Sequence, residues 1–414
     1  MSLTEKLKAQ VALNLDAIFA SDPPKHIGIA VSGGGDSVAL LHLAQDWANA
    51  QNVTLCAITI DHDLRENSAD EAARVAQWCA DMGVAHHVKV WRDWDHTGNL
   101  QDAARQARYR IINEWRGDIQ HILIGHTLDD QAETLLLRLK RGSGVDGMTG
   151  MKPVAHHPSG MMLIRPLLNI LRQDLRDYLG EIDQPWCDDP SNENAAFDRI
   201  AMRQLLPQLQ SAGISLDRFA LMAKHMQRAQ AALDQTARDV FRKTGLQQGT
   251  DLILDHEGFF AAPHEIQARL LSAGLCWISG NFYRPRFDAL QRVLSDMQIA
   301  KPSSLHGCLV YPYKNTIRTT REYAATQSSA DHNVWDDRWH TQNVPTDSYL
   351  RALGKDGAAQ LDTGLRKNVP YRSLYVQPAI FRHGQLLYSP TLDPIQRQFL
   401  QDSRINFIDF IASH

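Results

Sequence analysis

Cysteine is scarce in this sequence: Cys56, Cys79, Cys187, Cys276 and Cys308 are all there are among 414 residues, and no two form a CxxC pair. An odd, scattered set excludes a disulfide scaffold and a cysteine zinc site. It reads as buried or free thiols in a reducing cytoplasm. Long hydrophobic runs are absent as well. Nothing approaches ~18 consecutive apolar residues, so neither a spanning helix nor a membrane partner is expected. The amino-terminal MSLTEKLKAQVALNLDAIFA carries Glu5 and Asp16 and lacks a compact apolar block with a cleavage site. It reads as an amphipathic helix rather than a signal peptide. Internal repeats and low-complexity tracts are missing too.

What is present is ordinary for a globular protein: 43% hydrophobic and 22% charged residues. At about 150 residues per domain, the length predicts two or three domains. The net charge of −4 conceals an asymmetry. Residues 1–198 hold 18 Lys and Arg against 28 Asp and Glu; residues 199–414 hold 25 against 19. An acidic half followed by a basic half suggests different partners for each.

Strand-like and helix-like patterns alternate through the first half. HIGIAV (26–31), VTLCAITI (53–60), HHVKVW (86–91), HILIGH (121–126) and MMLIRPL (161–167) read as strands. Helical spacing occupies the stretches between them, with LRQDLRDYLGE (171–181) after the last. The pattern predicts an α/β fold: a five-stranded parallel sheet, helices on both faces, and a ligand beyond the strands' carboxyl ends. Past residue 200 helices dominate, at 203–211, 216–243 and 264–278, with a mixed region near 284–322. The polar segment 326–343 reads as a linker. Residues 345–414 read as short strands, turns and a final helix. The domains are therefore placed at 1–215, 216–325 (mainly helical) and 345–414 (small, α+β).

SGGGDS joins the first strand to its helix. Gly33, Gly34 and Gly35 permit close approach of phosphate oxygens to the main chain. Ser32 and Ser37 add hydroxyls, and the helix N-terminus adds N–H groups and a favourable dipole. A Walker A loop needs a lysine, and none occurs between Lys25 and Lys89. The GxGxxG fingerprint of dinucleotide folds is not met either. Asp36, an acid inside a phosphate cradle, makes sense mainly as a Mg²⁺ ligand. The competing reading is a glycine-rich turn with capping Ser and Asp. A second cluster, HTLDDQAET (126–134), begins where the fourth strand meets its helix. Asp129, Asp130 and Glu133 crowd the first helical turn, as the dipole favours. They bind Mg²⁺, hold a cationic amine, or simply cap the helix and meet water.

The SGGGDS loop after a first strand resembles the PP-loop of the ATP pyrophosphatase superfamily, whose fold is of the adenine nucleotide alpha hydrolase type. HTLDDQAET resembles the signature of one branch, the tRNA(Ile)-lysidine synthetases. DHDLRENS (61–68), NLQDAARQARY (99–109), RGSGVDGMTGM (141–151), RPLL (165–168), CDDPSNENAAFDRIAMR (187–203) and LHGCLVYPYKNTIRTTRE (305–322) are similar to further segments of that family, in the same order. Three positions depart from it. Asp63 stands where glycine is usual, Ile200 where asparagine follows arginine, and Asp146 where a neutral or basic residue is common.

The resemblance implies an ATP-dependent carbon–nitrogen ligase acting on the wobble cytidine of the isoleucine tRNA with a CAU anticodon. ATP activates the base's carbon-2 oxygen, free L-lysine attacks, and pyrophosphate and AMP leave. ATP-binding positions are then Ser32, Gly33, Gly34, Gly35, Asp36, Ser37, His62, Gly125 and His126. Catalytic positions are Asp36, Asp129, Asp130, Glu133 and Arg105, with Asp36 as the Mg²⁺ ligand. The basic excess supplies tRNA contacts: Arg199, Arg203, Arg284, Arg286, Arg318, Arg366, Lys367 and Arg372, with Arg321 as a further candidate. Tyr371, Tyr375 and Phe381, between the last of these, read more as core than as base-stacking groups. The alternatives are another PP-loop tRNA-modifying enzyme and a tRNA-binding relative without catalysis. The expected location is cytoplasmic; a homodimer is compatible with the sequence, which does not specify assembly.

Overall fold

The computed structural model describes residues 2–19, 22–63, 68–94, 100–157, 159–187, 198–281, 283–326, 333–367 and 369–413. They fall into two compact units, Met1–Ala229 and Gln230–His414.

The first unit runs α1 (Leu3–Phe19), β1 (His26–Ala30), α2 (Gly35–Gln51), β2 (Thr54–Asp61), α3 (Ser68–Asp81), β3 (Ala85–Val90), α4 (Leu100–Trp115), β4 (His121–Leu123), α5 (Leu128–Lys140), α6 (Val145–Met148), β5 (Val154–His156), β6 (Met162–Ile164), α7 (Arg172–Glu181), α8 (Asp198–Ser211) and the start of α9 (Leu216–Thr244). Its sheet has the order β3-β2-β1-β4-β6-β5. The five expected strands are all present and mutually parallel. A sixth, β5, pairs antiparallel with β6 at the edge. Its Val154-Ala155-His156 follows Lys152-Pro153 and precedes His157, so no longer apolar run marks it in sequence.

Alternation along the strands sorts the side chains into two layers. Leu55 and Ala57 of β2, Leu123 of β4 and Ile164 of β6 join a core with α1, α2, α3 and α7. Their neighbours Ile58, Ile122 and Leu163 face the other way, into a second core with Ile111 and Ile112 of α4. Each fully buried aliphatic side chain of this kind contributes about 1.5–3 kcal/mol. A third cluster ties α5 to α8 and α9 through Leu128, Ala132, Leu136, Leu206 and Leu216. The departure at Asp63 is explained by its backbone: φ is +50°, the left-handed region that favours glycine. Aspartate is one of the few residues to enter it readily, and here the Asp63 N–H donates to Asp61 Oδ1 at 2.8 Å.

The second unit takes the rest of α9, then β7 (Gly245–Gln248), β8 (Asp251–Asp255), α10 (His256–Ala261), α11 (His264–Ser279), α12 (Phe287–Gln298), β9 (Ser303–Leu305), β10 (Cys308–Tyr313) and β11 (Thr316–Arg321). These strands form an antiparallel sheet, β7-β8-β11-β10-β9. The helices read at 216–243 and 264–278 stand close to α9 and α11 (that at 203–211 is α8 of the first unit), but the region read as mainly helical holds a five-stranded sheet as well. α11 is buried along nearly its whole length and centres the core.

The chain continues through β12 (Val334–Trp335), β13 (Trp339–Thr341), β14 (Ser348–Ala352), α13 (Gly354–Gln360), α14 (Thr363–Lys367), α15 (Tyr371–Leu374), β15 (Pro378–Arg382), β16 (Gln385–Tyr388), β17 (Leu400–Asp402) and α16 (Phe407–Ser413). The polar stretch expected as a linker is corrected from residue 334 onward. Trp335 and Trp339 are buried there. Arg338 lies with its guanidinium 4.0 Å from the Trp277 ring centre and 4.4 Å from that of Trp339. It also donates to both oxygens of Asp402. Charges paired this way are structural despite their polar look in sequence. Among the described residues no helix is long and apolar enough to cross a membrane. All five cysteines are thiols, four of them buried.

Candidate active site

The glycine loop lies between β1 and α2, at the carboxyl end of a central strand. Gly33 has φ +87°, and a Cβ there would meet Val75 Cγ2 at 3.2 Å. Gly34 caps α2, and its carbonyl accepts from the N–H groups of Ser37 and Val38. The N–H groups of Gly35 and Asp36 stand at the open end of the helix, where no helical carbonyl precedes them. Ser37 Oγ donates to Gly34 O at 2.9 Å and accepts from the Ser32 N–H at 3.1 Å. Ser32 Oγ lies 3.2 Å from Ser37 Oγ. The Cys187 N–H donates to Gly33 O and braces the loop from outside. The arrangement is a backbone cradle lined by two hydroxyls, suited to an anion.

Gly125 brings the second motif against the first. A Cβ on it would sit 3.1 Å from Asp36 O and 3.2 Å from Ser37 Cα, so a larger residue would push the two backbones apart by a few tenths of an ångström. Beyond it Thr127 caps α5: its Oγ1 accepts from the Asp130 N–H, and Asp130 Oδ2 accepts from the Thr127 N–H at 2.8 Å. This reciprocal cap plants the acids at the mouth of the cradle.

Arg172, at the start of α7, gathers those acids. Its Nε donates to Asp36 Oδ2 at 2.9 Å and its Nη2 to Asp130 Oδ1 at 3.0 Å; its Nη1 lies 3.6 Å from Glu133 Oε1. Its backbone N–H donates to Asp129 Oδ2 at 2.8 Å. Two arginines of α8 complete the network. Arg199 donates to Asp130 Oδ1 and Glu133 Oε2, and Arg203 to Glu133 Oε1. Glu133 is fully buried and would be untenable as a charge without these partners. Arg199 and Arg203 were expected on a tRNA-facing surface; the structure pairs both with the acidic cluster, with 39% and 35% of their side chains still exposed. Arg172 escaped the sequence reading, since its spacing is that of any helix arginine. Ile200 is buried.

Burial raises the Asp36 carboxyl above its usual range, against the pull of Arg172. Burial also opposes ionisation of Asp130, but Arg172 and Arg199 outweigh it and hold that carboxyl below the usual range. His126 is pushed down to about 3 by burial, with Arg165, Arg199 and Arg105 adding to the effect. His62 falls to about 4 for the same first reason, and among the described residues its buried Nδ1 has no partner. Both rings are therefore neutral at pH 7. Arg105 is exposed over the Tyr109 ring, and its charge reaches His126.

The other sequence candidates lie in the second unit. Arg284, Arg286, Arg366 and Lys367 are exposed. Arg366 nonetheless donates to the carbonyls of Ala359 and Leu361. Arg372 is half-buried beside Tyr371 and Tyr311. Arg318 is corrected: its side chain is 8% exposed and pairs with the buried Asp251 at 3.1 Å, so it meets no phosphate. Arg321 is likewise buried on Asp336. Phe381 is core, Tyr375 half-buried and Tyr371 exposed. Residues 188–197 of the segment quoted for the family resemblance lie outside the described residues.

Among the described residues no three His, Cys, Asp or Glu side chains are grouped to hold a metal alone. Mg²⁺ typically takes one or two carboxylates and completes its shell with water and substrate phosphates. Asp36 fits that role, because Arg172 engages only its Oδ2.

Comparison with known proteins agrees with this geometry. The model of the PP-loop domain family matches residues 7–209. A tRNA(Ile)-lysidine synthase of Ruegeria pomeroyi is 41% identical over 386 residues, 91% of each chain. Its counterpart in Wolbachia pipientis wMel is 33% identical over 356 residues, 82% of this chain and 80% of that one. That of Hyphomonas neptunium is 36% identical over 299 residues, 69% and 78% respectively.

Proposed function

The chain belongs to the tRNA(Ile)-lysidine synthases, and from that membership we propose how its residues carry out the ligation. It is an ATP-dependent ligase acting on tRNA. The carbon-2 oxygen of the wobble cytidine, in a CAU anticodon, attacks the α-phosphorus of ATP. The bond from that phosphorus to the bridging oxygen breaks, and pyrophosphate leaves. The neutral ε-amine of free L-lysine then attacks carbon 2. AMP departs with the oxygen, and the amine gives up a proton.

The observation that supports this division of labour is the contact of Gly125 with the Asp36–Ser37 backbone, reinforced by Arg172. It makes one site of a phosphate cradle and an acidic cluster. The N–H groups of the cradle, with Ser32 and Ser37, hold phosphate oxygens. Asp36 would hold Mg²⁺, which offsets the charge gathering on the leaving pyrophosphate. Asp129, whose Oδ2 accepts only the Arg172 backbone N–H among the described contacts, is the acid of the cluster left to meet the ammonium of lysine. A carboxylate of this group takes the amine's proton. Arg105 neutralises phosphate. The exposed Arg284, Arg286, Arg366 and Lys367, with Arg372, meet the tRNA backbone. The cytoplasm, where tRNA, ATP and lysine are free, is its place of action.

Exchange of labelled pyrophosphate into ATP tests the first half-reaction. Exchange is expected only when tRNA is present, and D36N should reduce it about 100-fold. Exchange that needs no tRNA, or that survives D36N, contradicts the proposal.

A further inference from the structure

We propose that Arg165 is a positioning residue for His126, holding its ring in the tautomer whose single proton is on Nε2, so that His126 serves the site as a fixed hydrogen-bond donor and not as a base. The role assigned to the ring rests on the ligase reading above; the tautomer itself does not.

Arg165 follows β6 directly, and its residue exposure is only 6%. Its Nε donates to His126 Nδ1 at 3.1 Å. Its Nη1 donates to Lys152 O at 2.8 Å, and its backbone N–H to Pro153 O at 2.8 Å. The guanidinium is thus tied at Nη1 to the residues that lead into β5, while the Arg165 backbone is held beside them. On the other side, the His126 backbone N–H donates to Ile124 O at 2.9 Å and fixes the main chain from which the ring projects. The neighbouring Gly125 lies against the phosphate loop.

A guanidinium carries five donors and no acceptor. The ring nitrogen it faces must therefore present a lone pair. A neutral imidazole with a bare Nδ1 carries its proton on Nε2. A second proton would have to enter on Nδ1, where it would confront the Arg165 N–H donor to donor. The charged groups around the ring are Asp130, Arg165, Arg199 and Arg105. Three of the four are cations and also resist a positive ring. His126 therefore cannot accept the proton that the attacking amine releases, and a carboxylate of the acidic cluster is left to do so. What the ring offers beside the phosphate cradle is an N–H for an anionic oxygen, held without reorganisation.

Protein labelled with ¹⁵N-histidine, with H126Q to assign the signals, reads the tautomer directly. The wild type is expected to show a bare Nδ1 and a protonated Nε2, unchanged between pH 6 and pH 8. R165M should yield a mixture of tautomers, whereas R165K, whose ammonium also only donates, should keep the wild-type pattern. In tRNA-dependent pyrophosphate exchange, R165M should lower turnover about 10- to 100-fold, and R165K should recover most of it. A protonated Nδ1 in the wild type, or an unchanged ring in R165M, overturns the proposal. If R165M does not fold, the wild-type and R165K spectra decide it. The spectra need no substrate, so failure of the ligase reading and failure of the tautomer assignment are told apart.

Discussion

Arg172 uses Nε, Nη2 and its backbone N–H on three different aspartates, and brings Nη1 near a fourth acid. Removing it leaves Asp36 without its ion pair and Asp130 with Arg199 alone, in a site where burial already opposes their charge. R172M should therefore destabilise the protein by about 3–5 kcal/mol, read from urea unfolding. A loss under 1 kcal/mol would mean the acids find other partners. R172K restores the charge but not the planar fork, and should recover stability only in part. At this scale the sequence was readable where chemistry is contiguous. SGGGDS and HTLDDQAET each hold their functional groups within one turn of chain. It was not readable where partners meet only in the fold. Arg172 has its acids in α2 and α5, and Arg318 has its own in β8. Nothing near either arginine in sequence distinguishes it from a solvated one.

At the scale of elements, two helix starts compose the site, and they differ in how they are closed. The N-terminus of α2 is capped by Gly34 with no side-chain acceptor, which leaves it open to an anion. The N-terminus of α5 is closed by the Thr127–Asp130 capping box. T127A should cost about 1 kcal/mol in thermal or urea unfolding and loosen Asp130 from its place. The same substitution would be neutral if the box were incidental. The alternating strands and helices of the first unit were legible because even the three-residue β4 and β6 sit inside longer apolar runs, HILIGH and MMLIRPL. The short β5 was not, and β12 and β13 were hidden behind charged residues. There, Asp336, Arg338 and Asp402 resemble linker composition until their pairing is seen. In the second unit the helices announced themselves by apolar spacing, while the antiparallel sheet between them did not.

Across the whole molecule, the asymmetry between an acidic first half and a basic second half holds, but not every cation in it is available. Arg318, Arg321 and Arg338 are buried on carboxylates, and Arg199 and Arg203 serve the acidic cluster. Exposed cations are the ones placed to release counterions from tRNA, and Arg284 and Arg286 are exposed. The double variant R284A/R286A should lower tRNA affinity and flatten its dependence on log salt by about 1–2 units of slope. R318A should destabilise the fold and leave that slope as it is. The two neutral histidines give the molecule a pH dependence of known sign. His62 and His126 bind protons more weakly folded than unfolded, so protonation favours the unfolded chain. The stability they contribute is complete above the ordinary value of 6.5 and drains as pH falls toward about 4 and about 3. Unfolding midpoints should drop between pH 7 and pH 5, and drop less in H62Q/H126Q.

The central claim is that the cradle and the acidic cluster are one site joining lysine to a cytidine. Its most direct test is transfer of labelled lysine to an isoleucine tRNA with a CAU anticodon, in the presence of ATP and Mg²⁺. The account predicts one lysine incorporated per AMP released in the wild type, and neither product from D36N. A wild-type protein that binds the tRNA but releases AMP without incorporating lysine would contradict it.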